Sequence, residues 1–235
     1  SNSSNRKFWK ESRNNNAMLE QVIGKKSLSH DPAQLRDLAR QYQCFHLDIG
    51  TGDGKFAYRL AKANPGVCVI GVDADRASLA LSSQKAAKKP ARGGCANALF
   101  FCCDALDLPD AFDGLADMVH INFPWGSLLE ATVRPDDAFL KRLGDIVKPA
   151  GALEIYINLF VFEQADQRER LDLPEINEDN VRNRLLDQYA AHGFAPVEHA
   201  FLEASELETK DVPSTWAGRL IRRSGRSTLY LRFER

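Results

Sequence analysis

Short apolar segments alternate with amphipathic segments through the first 160 residues of this 235-residue chain. The apolar segments predict strands at 44–49, 67–72, 98–103, 117–122 and 152–159. Helical spacing lies between them, at about 54–64, 76–89 and 136–147. Because parallel strands need crossover connections, this alternation predicts a parallel sheet with helices on both faces.

The last third of the chain has a different pattern. An acidic helical stretch ends near His192-Gly193, and two further strands, at 194–202 and 227–233, can pair antiparallel. The whole pattern predicts a doubly wound α/β fold with a seven-stranded, mostly parallel sheet and an antiparallel terminal strand. A small hairpin is expected over the sheet at Met18–Ser29.

Residues 1–17 are mostly polar and rich in Asn, and we expect a disordered tail or an expression-tag remnant there. The residues from 18 to 235 are expected to form one domain, with an N-terminal extension at about 18–43. No segment reaches the roughly 18 apolar residues of a membrane span, and no signal-peptide pattern is present, so we expect a cytoplasmic protein. We also expect it to be a monomer. The five cysteines lack metal-ligand spacing and predict no metal site.

A glycine-rich turn, Asp48-Ile-Gly-Thr-Gly-Asp-Gly54, follows the first strand of the predicted parallel sheet. Its glycines let the backbone approach a ligand closely, and Asp73, at the end of the next strand, suits a ribose diol. A dinucleotide site needs a bare glycine turn for pyrophosphate, whereas Asp48 and Asp53 would repel phosphate. The turn therefore favours a cationic ligand such as S-adenosylmethionine, with a nicotinamide dehydrogenase as the alternative.

The net charge of −1 argues by itself against a nucleic-acid partner, but the charges are unevenly distributed. Six arginines lie between Trp216 and Arg235 against one acid, while acids concentrate in 163–211. Four more basic residues, Lys85, Lys88, Lys89 and Arg92, cluster at the end of a predicted helix. These clusters can form a local positive face, although basic residues at a helix end also complement its dipole.

Two tryptophans are candidates for binding a base. Trp125 follows the fourth strand, at the edge where open α/β sheets bind ligands. Trp216 shares a helical face with Arg219, and an aromatic beside arginines can hold an unstacked base. The structural alternatives are a loop Trp that caps a helix and a core Trp.

Four motifs together resemble one family: Asp48–Gly54, Lys85–Gly94, Phe123-Pro-Trp-Gly-Ser-Leu-Leu129 and Ser214-Thr-Trp-Ala-Gly-Arg-Leu220. They are similar to the aminoglycoside-resistance 16S rRNA (adenine-1408, N1) methyltransferases of the Kam/Npm type. The similarity runs in order from about Met18 to the C-terminus.

The resemblance implies a class I methyltransferase that uses S-adenosylmethionine to modify N1 of the A-site adenine in the 30S subunit. Trp125 and Trp216 would bracket the flipped adenine, with Pro124 packed behind it. The candidate cofactor-binding residues are Asp48, Gly50, Thr51, Gly52, Asp53, Asp73, Asp104, Ala105, Phe123, Ser127 and Ser214. The candidate RNA-binding residues are Lys85, Lys88, Lys89, Arg92, Arg219, Arg222, Arg223 and Arg226.

Inserted segments at about 160–193 and 203–226 are expected to bind substrate. Two departures, Gln84 and Ser224 at positions where relatives carry basic residues, would weaken the phosphate contacts. Adenine N1 carries a lone pair and no proton, so its methylation needs no general base, and His46 and His120 are interpreted as core residues. The alternatives are a methyltransferase of tRNA or a small molecule, and a non-catalytic RNA-binding relative.

Overall fold

The computed structural model describes residues 18–163, 173–209 and 226–235. Within these ranges, the strands form one sheet in the order β2-β1-β5-β4-β3-β6-β7-β9-β8. In chain order the strands are β1 (Leu19–Ile23), β2 (Lys26–His30), β3 (Cys44–Ile49), β4 (Val67–Asp73), β5 (Ala98–Cys102), β6 (Ala116–Asn122), β7 (Val147–Asn158), β8 (Ala195–Glu203) and β9 (Arg226–Glu234).

The helices pack around this sheet. They are α1 (Pro32–Ala39), α2 (Lys55–Ala63), α3 (Arg76–Ala86), α4 (Gly126–Val133), α5 (Asp137–Ile146), α6 (Phe160–Glu163), α7 (Glu178–Asn180), α8 (Leu186–Ala190) and α9 (Ala204–Thr209). Helix α7 continues through a π-helical turn (Val181–Leu185) into α8. None of these described helices is long and apolar enough to cross a membrane.

The central strands confirm the predicted fold class. Strands β5, β4, β3, β6 and β7 are parallel neighbours, and β9 pairs antiparallel with both β7 and β8. The chain reverses its direction of winding between β3 and β6, which are neighbours in the sheet although two strands separate them in sequence. A crevice opens at such a switch point, outside the carboxyl ends of the strands.

The predicted position of the N-terminal hairpin is wrong. Strands β1 and β2 form an antiparallel hairpin, but β1 also pairs with β5 through Gln21 and Phe101. The hairpin therefore extends the sheet at its edge and does not lie over it, so the described residues form nine strands where seven were expected. This pairing covers backbone N–H and C=O groups that a bare β5 edge would expose.

Helix ends differ slightly from the prediction, for local reasons. Helix α3 ends at Ala86 rather than at 89, because Lys89 precedes Pro90 and adopts an extended conformation with φ −60° and ψ 146°. The helix begins where the Asp75 carboxylate accepts the Ala77 amide, an N-cap that satisfies one of its orphan donors. Strand β7 begins at Val147, five residues before the predicted 152.

Two predictions fall partly or wholly outside the described residues. The segment at 160–193 contains α6, α7 and α8, but residues 164–172 are not described. The helical face that Trp216 and Arg219 were expected to share lies entirely in the range 210–225, which is also outside the described residues.

The sheet separates two layers of core. Helices α2 and α3 bury Tyr58 and Leu79 against Val69 and Phe100 on one face. A larger cluster on the other face includes residues from α1, α4, α5 and α8, with Tyr189 stacked on Phe233 at 4.5 Å between ring centroids. Each fully buried apolar side chain contributes about 1.5–3 kcal/mol relative to exposure, so both layers hold the strand ends in fixed positions.

Candidate active site

A cleft of about 520 Å³ lies outside the carboxyl ends of β3, β4, β5 and β6. Its volume falls within the range of small-molecule and cofactor sites. It brings together all but one of the predicted cofactor residues and two of the three predicted catalytic residues. These are Asp48, Gly50, Thr51, Gly52, Asp53, Asp73, Asp104, Ala105, Phe123, Pro124, Trp125 and Ser127.

The glycine turn forms the floor of this cleft. Gly50 and Gly52 have φ angles of 71° and 58°, a region that favours glycine. The Gly50 amide donates to the Val72 carbonyl at 2.9 Å, which ties the turn to β4. A Cβ at Gly50 would lie 2.6 Å from Leu128 Cδ2, so any other residue here would also have to displace the end of the Leu128 side chain.

Asp48 is the buried acid of the cleft, with only 1% of its surface exposed. Its carboxylate accepts hydrogen bonds from the Thr51 hydroxyl and, at 3.1 Å, from Asn122 Nδ2. Burial raises the pKa of Asp48 to about 6, and the nearby charge of Asp73 acts in the same direction, against the lowering effect of both hydrogen bonds. A cation bound beside Asp48 would reverse this effect, because an opposite charge favours the ionised form.

Asp73 lies at the tip of β4 with both oxygens oriented by the backbone. One oxygen accepts the Gly52 amide at 2.9 Å, and the other accepts the Asp75 amide at 2.8 Å. Each carboxylate oxygen can accept a further hydrogen bond, so this geometry suits a ribose diol. Asp104 has a comparable position after β5, where it accepts the Leu106 amide at 2.9 Å and remains exposed.

The loop after β6 orients an aromatic side chain toward solvent. Phe123 has a φ of 51°, which is uncommon for a residue with a Cβ, and its amide donates to the Tyr156 carbonyl at 2.7 Å. The Phe123 side chain is buried, with its ring 6.0 Å from that of Tyr156. Trp125 occupies the N-cap position of α4, makes no capping hydrogen bond with its side chain, and is 52% exposed at the cleft.

Five residues that line the cleft were predicted neither as cofactor-binding nor as catalytic residues: Phe56, Ala74, Ser78, Asn122 and Leu128. Ala74 follows Asp73 directly, so its place was available from sequence. Phe56, Ser78 and Leu128 come from helices, and nothing in the sequence identified which helix faces border the cleft. Asn122 is the last residue of β6. Its Oδ1 is buried and has no hydrogen-bond partner within the described ranges.

His46 and His120 lie on β3 and β6 beneath the cleft, where they were expected as core residues. Their rings are linked by a 3.0 Å contact between His46 Nδ1 and His120 Nε2, and His120 Nδ1 lies 3.4 Å from Glu154 Oε2. Burial, reinforced by the neighbouring His120, lowers the pKa of His46 to about 4. His46 is therefore neutral at physiological pH.

The predicted basic residues occupy a separate surface. Lys85, Lys88, Lys89 and Arg92 are exposed at the end of α3 and in the loop that follows it. Lys85 Nζ lies 4.6 Å from the centre of the Tyr58 ring, a cation–π contact that steadies the side chain.

The other predicted site residues are mostly outside the description. Ser214, Trp216, Arg219, Arg222 and Arg223 lie in the range 210–225. Arg226 is described through its backbone only, as the first residue of β9.

The donor set fits S-adenosylmethionine. A buried carboxylate and an unpartnered amide oxygen suit the cationic end of this molecule, and Asp73 suits its ribose. The buried Asp48 carboxylate, unlike Asp73, also argues against a dinucleotide, because it would repel the pyrophosphate.

Comparison with known proteins agrees with this geometry. Residues 20–234 match the family model described as NpmA: 16S rRNA (adenine(1408)-N(1))-methyltransferase. The 16S rRNA (adenine(1408)-N(1))-methyltransferase of Streptoalloteichus tenebrarius is 31% identical over 202 residues, covering 86% of this chain and 92% of that protein.

Solved structures give the same result. The aminoglycoside resistance methyltransferase NpmB1 superposes with a TM-score of 0.81 at 34% identity, covering 92% of this chain and 99% of that one. The enzyme from Catenulisporales acidiphilia, solved as a mutant with its cosubstrate SAM, gives 0.80 at 30% identity, covering 92% and 96%. With the fold, the acid-lined cleft and a family match over nearly its whole length, this chain belongs to the 16S rRNA (adenine(1408)-N(1))-methyltransferase family.

Proposed function

We propose that this protein transfers a methyl group from S-adenosylmethionine to N1 of adenine-1408 in the A site of 16S rRNA, within the 30S subunit. The modification would confer aminoglycoside resistance. One observation carries the proposal beyond family membership: Trp125 is half-exposed at the mouth of a cleft whose inner wall is a buried carboxylate. This arrangement offers a stacking surface for a base beside a site for a cation.

The residues of the cleft have distinct proposed roles in holding the cofactor. Asp48 and Asn122 would bind its cationic end, Asp73 would accept the ribose hydroxyls, and Asp104 with Ala105 would contact the adenine. When bound, S-adenosylmethionine supplies an electrophilic methyl group. Gly50 and Gly52 would leave room for its close approach to the backbone.

The remaining chemistry is positioning of the target base. Adenine N1 presents a lone pair without a proton, so no side chain has to act as a general base. Extrusion of a base costs a few kcal/mol, and stacking on an aromatic ring returns about 1–3 kcal/mol per base. Trp125 would supply one such ring, and we propose Trp216 as the second, with Pro124 behind the base. Aromatic faces would also stabilise the positive charge that develops on adenine.

Binding of the subunit would depend on basic residues away from the cleft. Lys85, Lys88, Lys89 and Arg92 form an exposed positive surface suited to the RNA backbone. The segments at about 160–193 and 203–226, with Arg219, Arg222, Arg223 and Arg226, are proposed to add substrate contacts. We propose that the protein acts as a single domain and as a monomer in the cytoplasm, where size-exclusion chromatography can test the monomer.

Primer extension tests this function directly. Purified 30S subunits are incubated with the protein and S-adenosylmethionine, and 16S rRNA is then reverse-transcribed. Methylation of N1 blocks the Watson–Crick edge, so a new stop is expected beside adenine-1408. Subunits incubated without S-adenosylmethionine serve as the control.

Other outcomes identify the alternatives. Transfer of methyl label to tRNA or a small molecule, with no stop in 16S rRNA, would replace the proposed substrate. Binding of the 30S subunit with no measurable binding of S-adenosylmethionine would instead indicate a non-catalytic RNA-binding relative.

A further inference from the structure

The N-terminal hairpin is fixed against α3 at two points. At one end, Arg76 in the first turn of α3 pairs with the carboxylate of Glu20 on β1. At the other end, the Gly24 amide donates to the Ser83 hydroxyl at 3.0 Å. Strand β1 therefore runs alongside α3 in the same direction, and the turn of the hairpin lies at the C-terminal end of that helix.

The turn itself is tight and closely packed. Ile23 pairs with Lys26, which leaves a two-residue loop of Gly24 and Lys25. Gly24 has a φ of 60°, as glycine does at the first position of a type II′ turn. A Cβ built on it would lie 3.3 Å from the Cβ of Gln84. The loop thus rests on the last turn of α3, beside Lys85.

The side chains of the turn add to the positive surface. Lys25 and Lys26 are exposed, as are Lys85, Lys88, Lys89 and Arg92. Across residues 18–163, 173–209 and 226–235, none of these six makes an ion pair. The sequence has no acid from 21 to 30 and none from 76 to 103, so neither segment contains an acid that could neutralise them.

We propose that Lys25 and Lys26 form one continuous phosphate-binding surface with the basic residues at the end of α3, and that this surface contacts the backbone of ribosomal RNA. The inference rests on the proposed function and adds two residues, from a separate element, to the substrate contacts. Unpaired lysines on a rigidly held turn are suited to phosphates, because they pay no cost to break an existing pair.

The position of the surface predicts its role. Helix α3 connects two parallel strands and so runs back from the cleft edge toward the opposite edge of the sheet. Its 11 residues span about 16 Å at ~1.5 Å per residue, so its last turn is remote from the target base. Lys25 and Lys26 would therefore set the affinity for the subunit and its salt dependence, and would not affect cofactor binding.

The test compares two double variants that each remove two positive charges. Lys25→Gln with Lys26→Gln alters the hairpin turn. Arg40→Gln with Lys141→Gln is the control, on the opposite face of the sheet, at the C-cap of α1 and within α5. These two side chains are 77% and 73% exposed and form only surface ion pairs. The affinity of each protein for 30S subunits is measured over a series of salt concentrations, together with its Tm and its Kd for S-adenosylmethionine.

The hairpin variant is expected to bind 30S at least about tenfold more weakly at low salt. The slope of its log affinity against log salt concentration should be flatter by about 1.4–1.8, because each of the two lost phosphate contacts removes about 0.7–0.9 from the slope. Its Tm and its Kd for S-adenosylmethionine should match wild type, and the Arg40/Lys141 variant should keep the wild-type slope. An equal loss of 30S affinity in both variants, or a loss in neither, would overturn the inference. The proposed function would still stand in that case, provided that the wild-type protein binds 30S. Failure of the wild-type protein to bind 30S would overturn both.

Discussion

Replacing Asp48 with Asn is expected to stabilise the free protein and weaken its binding of S-adenosylmethionine. Burial raises the pKa of the Asp48 carboxyl from an ordinary value of 3.8 to about 6. A difference of this size corresponds to about 3 kcal/mol, at ~1.36 kcal/mol per pKa unit. The folded protein therefore carries an electrostatic cost at neutral pH that the unfolded chain does not.

The sign of this effect fixes its pH range. Because the folded pKa lies above the unfolded one, the penalty is absent below pH 3.8 and grows as pH rises, reaching its full size above about 6. Asn carries no charge, but its single amide oxygen can replace only one of the two carboxylate oxygens that accept from Thr51 and Asn122, so part of this gain in stability is lost. At pH 7.5, Asp48→Asn should raise Tm by up to about 6–12 °C, at about 2–4 °C per kcal/mol for a chain of this size.

Binding of the cofactor should change in the opposite direction. A hydrogen bond to a charged group contributes about 1.5–3 kcal/mol, so the variant should bind S-adenosylmethionine about 10- to 150-fold more weakly at pH 7.5. Wild-type affinity should also fall about tenfold between pH 7.5 and 5, because at pH 5 roughly a tenth of Asp48 remains ionised. The variant should lack that dependence.

Calorimetric titration and thermal melting at several pH values test both effects. Asp107→Asn is the matched control, because Asp107 is exposed near the cleft and does not line it. If Asp48→Asn lowered Tm at pH 7.5, or if its affinity kept the wild-type pH dependence, the carboxylate would not be the buried anion of the cofactor site.

Three further predictions concern the substrate side and the loop after β6. Trp125→Ala and Trp216→Ala should each reduce methylation of 30S about 5- to 150-fold, since stacking returns about 1–3 kcal/mol per base, and should leave the Kd for S-adenosylmethionine unchanged. Normal turnover would exclude the two-tryptophan arrangement. Lys88→Glu with Lys89→Glu should weaken 30S binding in filter assays and leave cofactor affinity intact, whereas a parallel fall in both would make these lysines structural. Asn122→Leu should weaken S-adenosylmethionine binding by removing the unpartnered buried oxygen, and an unchanged Kd by calorimetry would exclude that contact.

Residues at the ends of strands were predictable from sequence because parallel strands share one carboxyl edge. Asp48, Asp73 and Asp104 each follow an apolar run, and the structure brings all three to one cleft. Strands β3, β4 and β5 are parallel and paired in register, so a residue at the carboxyl end of each strand must lie at the same edge of the sheet.

Contributions from helices were not predictable in the same way. Leu128 borders the cleft because α4 packs against the glycine turn, and the end of its side chain fills the space where a Cβ at Gly50 would lie. Phe56 and Ser78 similarly depend on how α2 and α3 rotate about their axes. Such details follow from side-chain packing across the whole layer, and the helical pattern defines only which face is apolar.

The hairpin was recognised as a local element but misplaced, for a related reason. Its two strands and its glycine turn are encoded within residues 18–30, whereas its neighbour is chosen by an unpaired edge about eighty residues later, at β5. Only one bridge, between Gln21 and Phe101, joins the two strands, and the contacts with α3 provide much of the remaining attachment. Non-local pairings of this kind carry little signal in the pattern of a single strand.

The arrangement of charge across the fold explains how a protein with a net charge of −1 can bind RNA. Acids lie inside the cleft, where Asp48 is buried and would face a cationic cofactor, and basic residues lie on the outer surface of α3 and the hairpin. The length of α3, about 16 Å at ~1.5 Å per residue, separates the cleft from the basic residues at the end of that helix. Because this distance exceeds the ~8 Å Debye length at physiological salt, the two sets of charges act on different ligands. Substituting a surface lysine should therefore leave the cofactor site unchanged, while adding one at Gln84 should steepen the salt dependence of subunit binding without changing the affinity for S-adenosylmethionine.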